Sequence, residues 1–114
     1  MKQIRYYQII TVFCCLFLIS CGIDQNLKKA DKHLSLGEYY DAATQYKKVY
    51  TKTPTKERAA RGKVALKMAR CYDKINSTPK ALAAYSNAIR YKQADLNDRL
   101  AYARLLLKNG SYRQ

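Results

Sequence analysis

The stretch Leu36-Gly37-Glu38-Tyr39-Tyr40-Asp41-Ala42-Ala43 joins two apolar stripes of helical period through a single glycine. Upstream, Leu27, Ala30 and Leu34 fall on one face of a helix. Downstream, Tyr39, Ala42, Ala43, Tyr46, Val49 and Tyr50 trace a second stripe at offsets 0, 3, 4, 7, 10 and 11. Steps of three and four residues bring side chains onto one side of a 3.6-residue helix, the pattern of an element that packs by one face. Gly37 sits where the first helix would end on a left-handed residue, a conformation glycine adopts without a Cβ clash. No part of the chain sustains the alternation of a half-buried strand, so the predicted fold is all-α.

The same grammar continues outward. Thr53-Pro54 stops the second helix, because a proline disfavours helical backbone in the residue before it. Thr55 is predicted to cap a third helix with Glu57 in its first turn, and Val64, Met68, Cys71, Tyr72 and Ile75 to line its buried face. Asn76-Ser77 makes the next turn. Thr78 then serves as N-cap with Pro79 at the first helical position, ahead of a stripe of Ala81, Leu82, Tyr85, Ala88 and Ile89. A fifth helix is expected to begin near Asp95, to bury Leu96, Leu100, Ala103 and Leu106, and to end at Asn109-Gly110.

A unit of helix, tight turn and helix therefore recurs. The turn residues Gly37, Asn76 and Gly110 are 39 and 34 residues apart, the second spacing matching the tetratricopeptide period. Five residues after a turn stand Ala42 and Ala81, nine after stand Tyr46 and Tyr85, and seventeen after Gly37 stands Pro54. Seven before each turn stand Ala30, Ala69 and Ala103. Small residues recur at such places because close antiparallel helices leave no room for large ones. In this register the chain resembles the tetratricopeptide-repeat (TPR) family, with two repeats and the first helix of a third. It departs from the family in having no tryptophan, in His33 where an aromatic is usual, and in Asn76 where glycine is usual.

The N-terminus reads as an address. Lys2 and Arg5 precede a ten-residue apolar run, Ile9 to Leu18, which is the layout of a secretory signal. The run is about half the ~20 apolar residues that a membrane span requires. Leu18-Ile19-Ser20-Cys21 resembles the lipobox of bacterial lipoproteins, and that resemblance implies a signal peptide over residues 1–20 and lipid attachment at Cys21. Gly22 stands where many inner-membrane lipoproteins carry aspartate. The likeness thus implies the outer membrane, and with no acidic cluster following, its periplasmic face.

Leu36-Gly37-Glu38-Tyr39-Tyr40-Asp41-Ala42-Ala43, Ala69-Arg70-Cys71-Tyr72 and Ala88-Ile89-Arg90-Tyr91-Lys92 are further similar to the opening region of TPR lipoproteins that continue into a β-propeller and an OmpA-like domain. Members of that group serve the type IX secretion and gliding machinery. Residues 21–114 include no propeller or OmpA-like segment, so peptidoglycan binding is not expected of them, and they are expected to be either a fragment of a longer protein or a short paralogue. Residues 21–114 are expected to form a lipid-anchored repeat domain that is incomplete at its C-terminal end. Its last helix would leave Leu100, Ala103, Leu106 and Leu107 as an apolar strip that lacks a partner.

The chemistry of catalysis is sparse. The 114 residues carry a net charge of +14, and loss of Lys2 and Arg5 with the leader leaves +12. That field draws anionic partners without selecting among them. Cys14 and Cys15 lie in the leader and Cys21 at the processing site, so Cys71 alone remains as a mature thiol and a disulfide scaffold is excluded. His33, the one histidine, has no cysteine or paired carboxylate at ligand spacing. No phosphate-cradling glycine loop is present.

No catalytic residue, metal, cofactor or small-molecule substrate is expected. Of eleven tyrosines, Tyr39, Tyr46, Tyr72 and Tyr85 fall on core stripes, while Tyr40, Tyr50, Tyr91 and Tyr102 are left open as groove candidates. Lys28, Lys29 and Lys32, soon after Cys21, are either a solvated face or contacts for lipid headgroups. The expected function is a membrane-tethered interaction scaffold for other envelope proteins. Two alternatives remain: a basic nucleic-acid-binding protein whose leader is misread, and a periplasmic peptide-binding chaperone. An exported lipoprotein is out of reach of cytoplasmic nucleic acid, so no nucleic-acid partner is expected under the first reading.

Overall fold

The computed structural model of the chain describes residues 2–110, with the side chains of residues 3–13 and 25–110. In chain order these form α1 (Lys2–Ser35), α2 (Tyr39–Lys52), α3 (Arg58–Lys74), α4 (Thr78–Arg90) and α5 (Leu96–Lys108). No strand occurs among the described residues. Each helix packs on the next in sequence: α1 on α2, α2 on α3, α3 on α4, α4 on α5. Neighbours in sequence are neighbours in space, as in a helical-repeat array.

The turns repeat one device. Gly37 adopts φ +74°, its N–H donates to the Leu34 carbonyl at 3.1 Å, and the Glu38 N–H donates to His33 at 2.9 Å. This bond pair satisfies carbonyls that the last turn of a helix otherwise leaves open. Asn76 repeats it at φ 59°, with bonds from Asn76 to Asp73 and from Ser77 to Tyr72. Asparagine follows glycine in tolerance of the left-handed region, so the departure at this turn is conformationally mild. Gly110 is left-handed as well, at φ 74°. Lys92 makes a fourth such ending at φ 60°, bonding Ile89 while Gln93 bonds Ala88; a lysine carries no local signal for it.

Two helix starts differ from expectation. The N-cap of α3 is Glu57, not Thr55, and that of α4 is Ser77, not Thr78; neither makes a side-chain cap. The Glu57 N–H bonds the Pro54 carbonyl at 3.0 Å, so residues 54–57 close a turn of their own before α3 begins. At α4 the helix starts one residue earlier than expected: the Ser77 N–H bonds the Tyr72 carbonyl while the Ser77 carbonyl accepts from the Ala81 N–H at 2.9 Å, so Ser77 both ends the preceding turn and caps the helix.

One cluster forms the core. The faces of α2, α3 and α4 are as predicted: Ala42, Ala43, Tyr46, Val49, Met68, Cys71, Tyr72, Ala81 and Tyr85 are all buried. Tyr46 is the largest fully buried side chain, and its hydroxyl donates to Asp31. Burial pushes the Cys71 thiol from its ordinary 9.0 up to about 11, so it stays protonated and inert at neutral pH. The described core begins at Leu27. Ile4, Tyr6, Tyr7, Ile9, Ile10, Val12 and Phe13, in the N-terminal part of α1, are exposed. Residues 22–114 thus hold every described core side chain and need nothing from residues 3–13.

α5 corrects a prediction. Leu96, Leu100 and Leu107 are 72%, 58% and 61% exposed, Ala103 is exposed and Leu106 half-buried. The inward face is instead Asp98, Ala101, Tyr102 and Leu105. Leucines on both sides make the stripe ambiguous, and the helix is turned by a contact that periodicity does not register. Asp98 is held by Arg70 of α3 through bonds of 3.0 to 3.1 Å. Of the strip expected to lack a partner, Leu100, Ala103 and Leu107 are exposed, whereas Leu106 is half-buried.

Gly62 allows α3 to approach the turn after α4. A Cβ there would collide with Gln93 Cγ and lie 2.8 Å from Tyr91 Cβ. Gly62→Ala would gain up to ~1 kcal/mol of helix propensity, against an overpacking cost of typically 1–3 kcal/mol. We expect a net loss of stability in a thermal melt. An increase in Tm would show that residues 91–93 yield freely.

Candidate functional site: a basic-rimmed cleft between α1, α2 and α3

Between α1, α2 and α3 the chain leaves a cleft of about 370 Å³. Leu27, Val49, Ala60, Val64 and Leu66 give it apolar walls, while Lys63, Lys67, Arg70 and Glu57 supply its charged groups. The walls follow from the stripes: Leu27 and Val49 sit at the edges of the α1 and α2 faces, and Val64 opens the α3 face.

Two of the three cations are held in place. Lys67 reaches Asp31 of α1 at 3.1 Å and lies 5.5 Å from the Tyr46 ring. Arg70 grips Asp98 through both carboxylate oxygens, yet its own side chain is 52% exposed against 6% for Asp98. A bidentate guanidinium is geometrically fixed, so Arg70 keeps a free edge toward solvent. Lys63 has no ion-pair partner among the described residues.

Arg70 also begins a polar ladder between α3 and α5. Three residues on, Asp73 receives Arg104 at 2.9 Å, and three further on, Asn76 receives Lys108 at 3.4 Å. Asp98 serves α5 twice, since with Asp95 it forms a reciprocal capping box. The backbone bond from Asp98 is the first cause that lowers the Asp95 pKa below 3.8. The ladder went unread in the sequence because its partners are about 30 residues apart.

Other candidates fall into place. Cys21 lies within α1, but its side chain is outside the described residues. Lys28, Lys29 and Lys32 are exposed or nearly so on α1. Tyr46, Tyr72 and Tyr85 are buried and Tyr39 half-buried, as core positions should be. Tyr50 and Tyr91 do not line the cleft; they gather around Arg61 instead. Tyr40 is exposed and Tyr102 packs against the core.

His33, read as lacking partners, is brought by the turn to within 2.6 Å of Glu38. Ligand atoms of His33, Glu38 and Asp41 lie within 4.8 Å of one another. The His33 Nδ1 is engaged by Glu38, and the group closes the α1–α2 turn on an open surface. Among the described residues no helix is long and apolar enough to cross a membrane. In comparisons with known proteins the chain matches no protein-family model, no curated protein and no solved structure.

Proposed function

We propose that the chain is a lipid-anchored protein–protein interaction scaffold of the bacterial envelope, built from TPR-type hairpins and without enzymatic activity. The repeat reading is supported by left-handed turn residues at Gly37, Asn76 and Gly110. Fully buried alanines at Ala30, Ala42, Ala69 and Ala81 support it too. Attachment through Cys21 at the outer membrane, and service to type IX secretion machinery, rest on the sequence resemblances and belong to the same proposal.

The observation that carries the scaffold reading is the cleft. Apolar walls beside Lys63 and the fixed guanidinium of Arg70 suit a peptide segment that combines apolar side chains with acidic groups. The apolar walls provide affinity, and the charge sets register and discriminates among partners.

The test is a photo-crosslinking residue at position 63 in the source cell, with the same residue at exposed Lys47 on the outer side of α2 as control. One envelope protein captured from position 63, and not from position 47, is the expected result. Capture of many unrelated clients from both positions would replace the scaffold with a loosely binding chaperone. Recovery of nucleic acid or ribosomal protein would defeat the exported reading altogether.

A further inference from the structure

α1 and α2 run antiparallel about Gly37, so the start of the mature part of α1 lies beside the end of α2. Leu27 shares the cleft with Thr53 and Glu57, and Cys21, six residues earlier, is ~9 Å further along the α1 axis at 1.5 Å per residue. α3 begins at this end, α4 finishes here and α5 begins here. The turns at residues 53–57 and 91–95 therefore make the end of the bundle from which the anchor leaves.

Three guanidiniums surround one ring on that end. Arg58, Arg90 and Arg61 lie 5.2, 5.4 and 6.0 Å from the centroid of Tyr91, and Arg61 lies 4.1 Å over Tyr50. Arg61 is pinned, donating to the carbonyls of Tyr50 at 3.1 Å and Thr53 at 2.7 Å and to the Tyr91 hydroxyl at 3.3 Å. Arg90 rests on Asn87 at 2.8 Å. Among the described residues none of the three has a carboxylate at ion-pair distance.

Of the acids on these turns, Asp95 is already occupied in capping α5 and Glu57 borders the cleft. At the opposite end the pairing is different: Asp73 holds Arg104 and Glu38 holds His33. The hydrogen bond from Arg61, with the Tyr50 bond and the charges of Arg61 and Arg90, lowers the Tyr91 phenol below its ordinary 10.0 against the opposing effect of desolvation. The local field is strongly positive and internally unneutralised.

We infer that this end is a bilayer-facing surface, on which Arg58, Arg61 and Arg90 around Tyr91 take the phosphates of anionic lipid headgroups. The inference rests on the anchored reading above, which brings this end to the membrane. Guanidinium is the side chain suited to phosphate, and tyrosine sits well at headgroup level, with an apolar ring and a polar tip. Lys52, Lys56 and Lys92 flank the cluster and widen the basic face. Headgroup contact at this end would hold the helices upright from the anchor and leave the cleft open to the periplasm.

The test uses residues 22–114 without lipid, so that its outcome does not depend on acylation. Flotation with phosphatidylcholine vesicles is compared with flotation where phosphatidylglycerol is mixed in. The expected result is binding that requires phosphatidylglycerol and falls about 30-fold in Arg58→Gln/Arg90→Gln, which removes two basic contacts. Lys74→Gln/Lys80→Gln, with the same charge loss at the far end, should change it less than about threefold by the same reasoning. Circular dichroism checks that both variants remain folded. Equal losses in the two variants would show attraction by net charge alone and overturn the site, as would binding indifferent to phosphatidylglycerol. Fatty-acid labelling of the full chain tests the anchor separately, so labelled protein with no headgroup preference sinks this inference alone.

Discussion

Ala42→Arg and Ala81→Arg each abolish the cooperative thermal melt of residues 22–114. Both alanines are fully buried, each five residues past a left-handed turn residue, where two antiparallel helices meet. A longer side chain in a packed site costs typically 1–3 kcal/mol. Arginine adds a charge that cannot be shed by deprotonation, and burying it without a partner costs more than the steric term. A small domain has about 5–15 kcal/mol of stability at most to set against this. Ala42→Gly separates the effects: it costs ~1 kcal/mol of helix propensity and should lower Tm while the transition stays cooperative. Circular dichroism melts give the readout, and parent-like melting of both arginine variants would refute the packing register.

Cys21→Ala is expected to abolish incorporation of labelled fatty acid and to remove the protein from the outer-membrane fraction. Each buried methylene contributes ~0.8 kcal/mol, and a triacylated cysteine has far more than the two signals that stable anchoring needs. The basic face at Arg58, Arg61 and Arg90 cannot substitute, because contacts of ~1 kcal/mol each give reversible, salt-sensitive attachment. Fractionation after labelling checks both halves of the expectation. An unlabelled variant still held at the outer membrane would place the anchor elsewhere and remove the premise of the bilayer-facing surface.

The parent protein should also lose its attachment when the acyl chains are removed, whereas its fold should not change. That separation follows from the exposed side chains of Ile4 to Phe13 and from a described core that begins at Leu27. Residues 3–13 belong to the same helix, α1, as the start of the described core, yet contribute no buried side chain to it.

Among the described residues the order of the helices from α2 to α5, the end of α1 at the Gly37 turn and the inward faces of α2, α3 and α4 were determined by the sequence alone, whereas the run of α1 back to Lys2 was not. They depend on local rules: the 3.6-residue period selects a face, and Gly37, Asn76 and Gly110 mark three of the left-handed turns, the one at Lys92 carrying no such mark. Even the asparagine behaves as its side chain allows. Where two faces of a helix are similarly apolar, periodicity loses its power to choose. On α5 the choice fell to Arg70 and Asp98, 28 residues apart, which turned Leu105 inward and left Leu96, Leu100 and Leu107 outside.

The same limit hid the functional features. The cleft needs Leu27, Val49 and Val64 at once, the role of Gly62 is set by Gln93, and the cationic ring forms only when Arg61 meets Tyr91 across 30 residues. Such features are distances between helices, and only tertiary packing sets those distances.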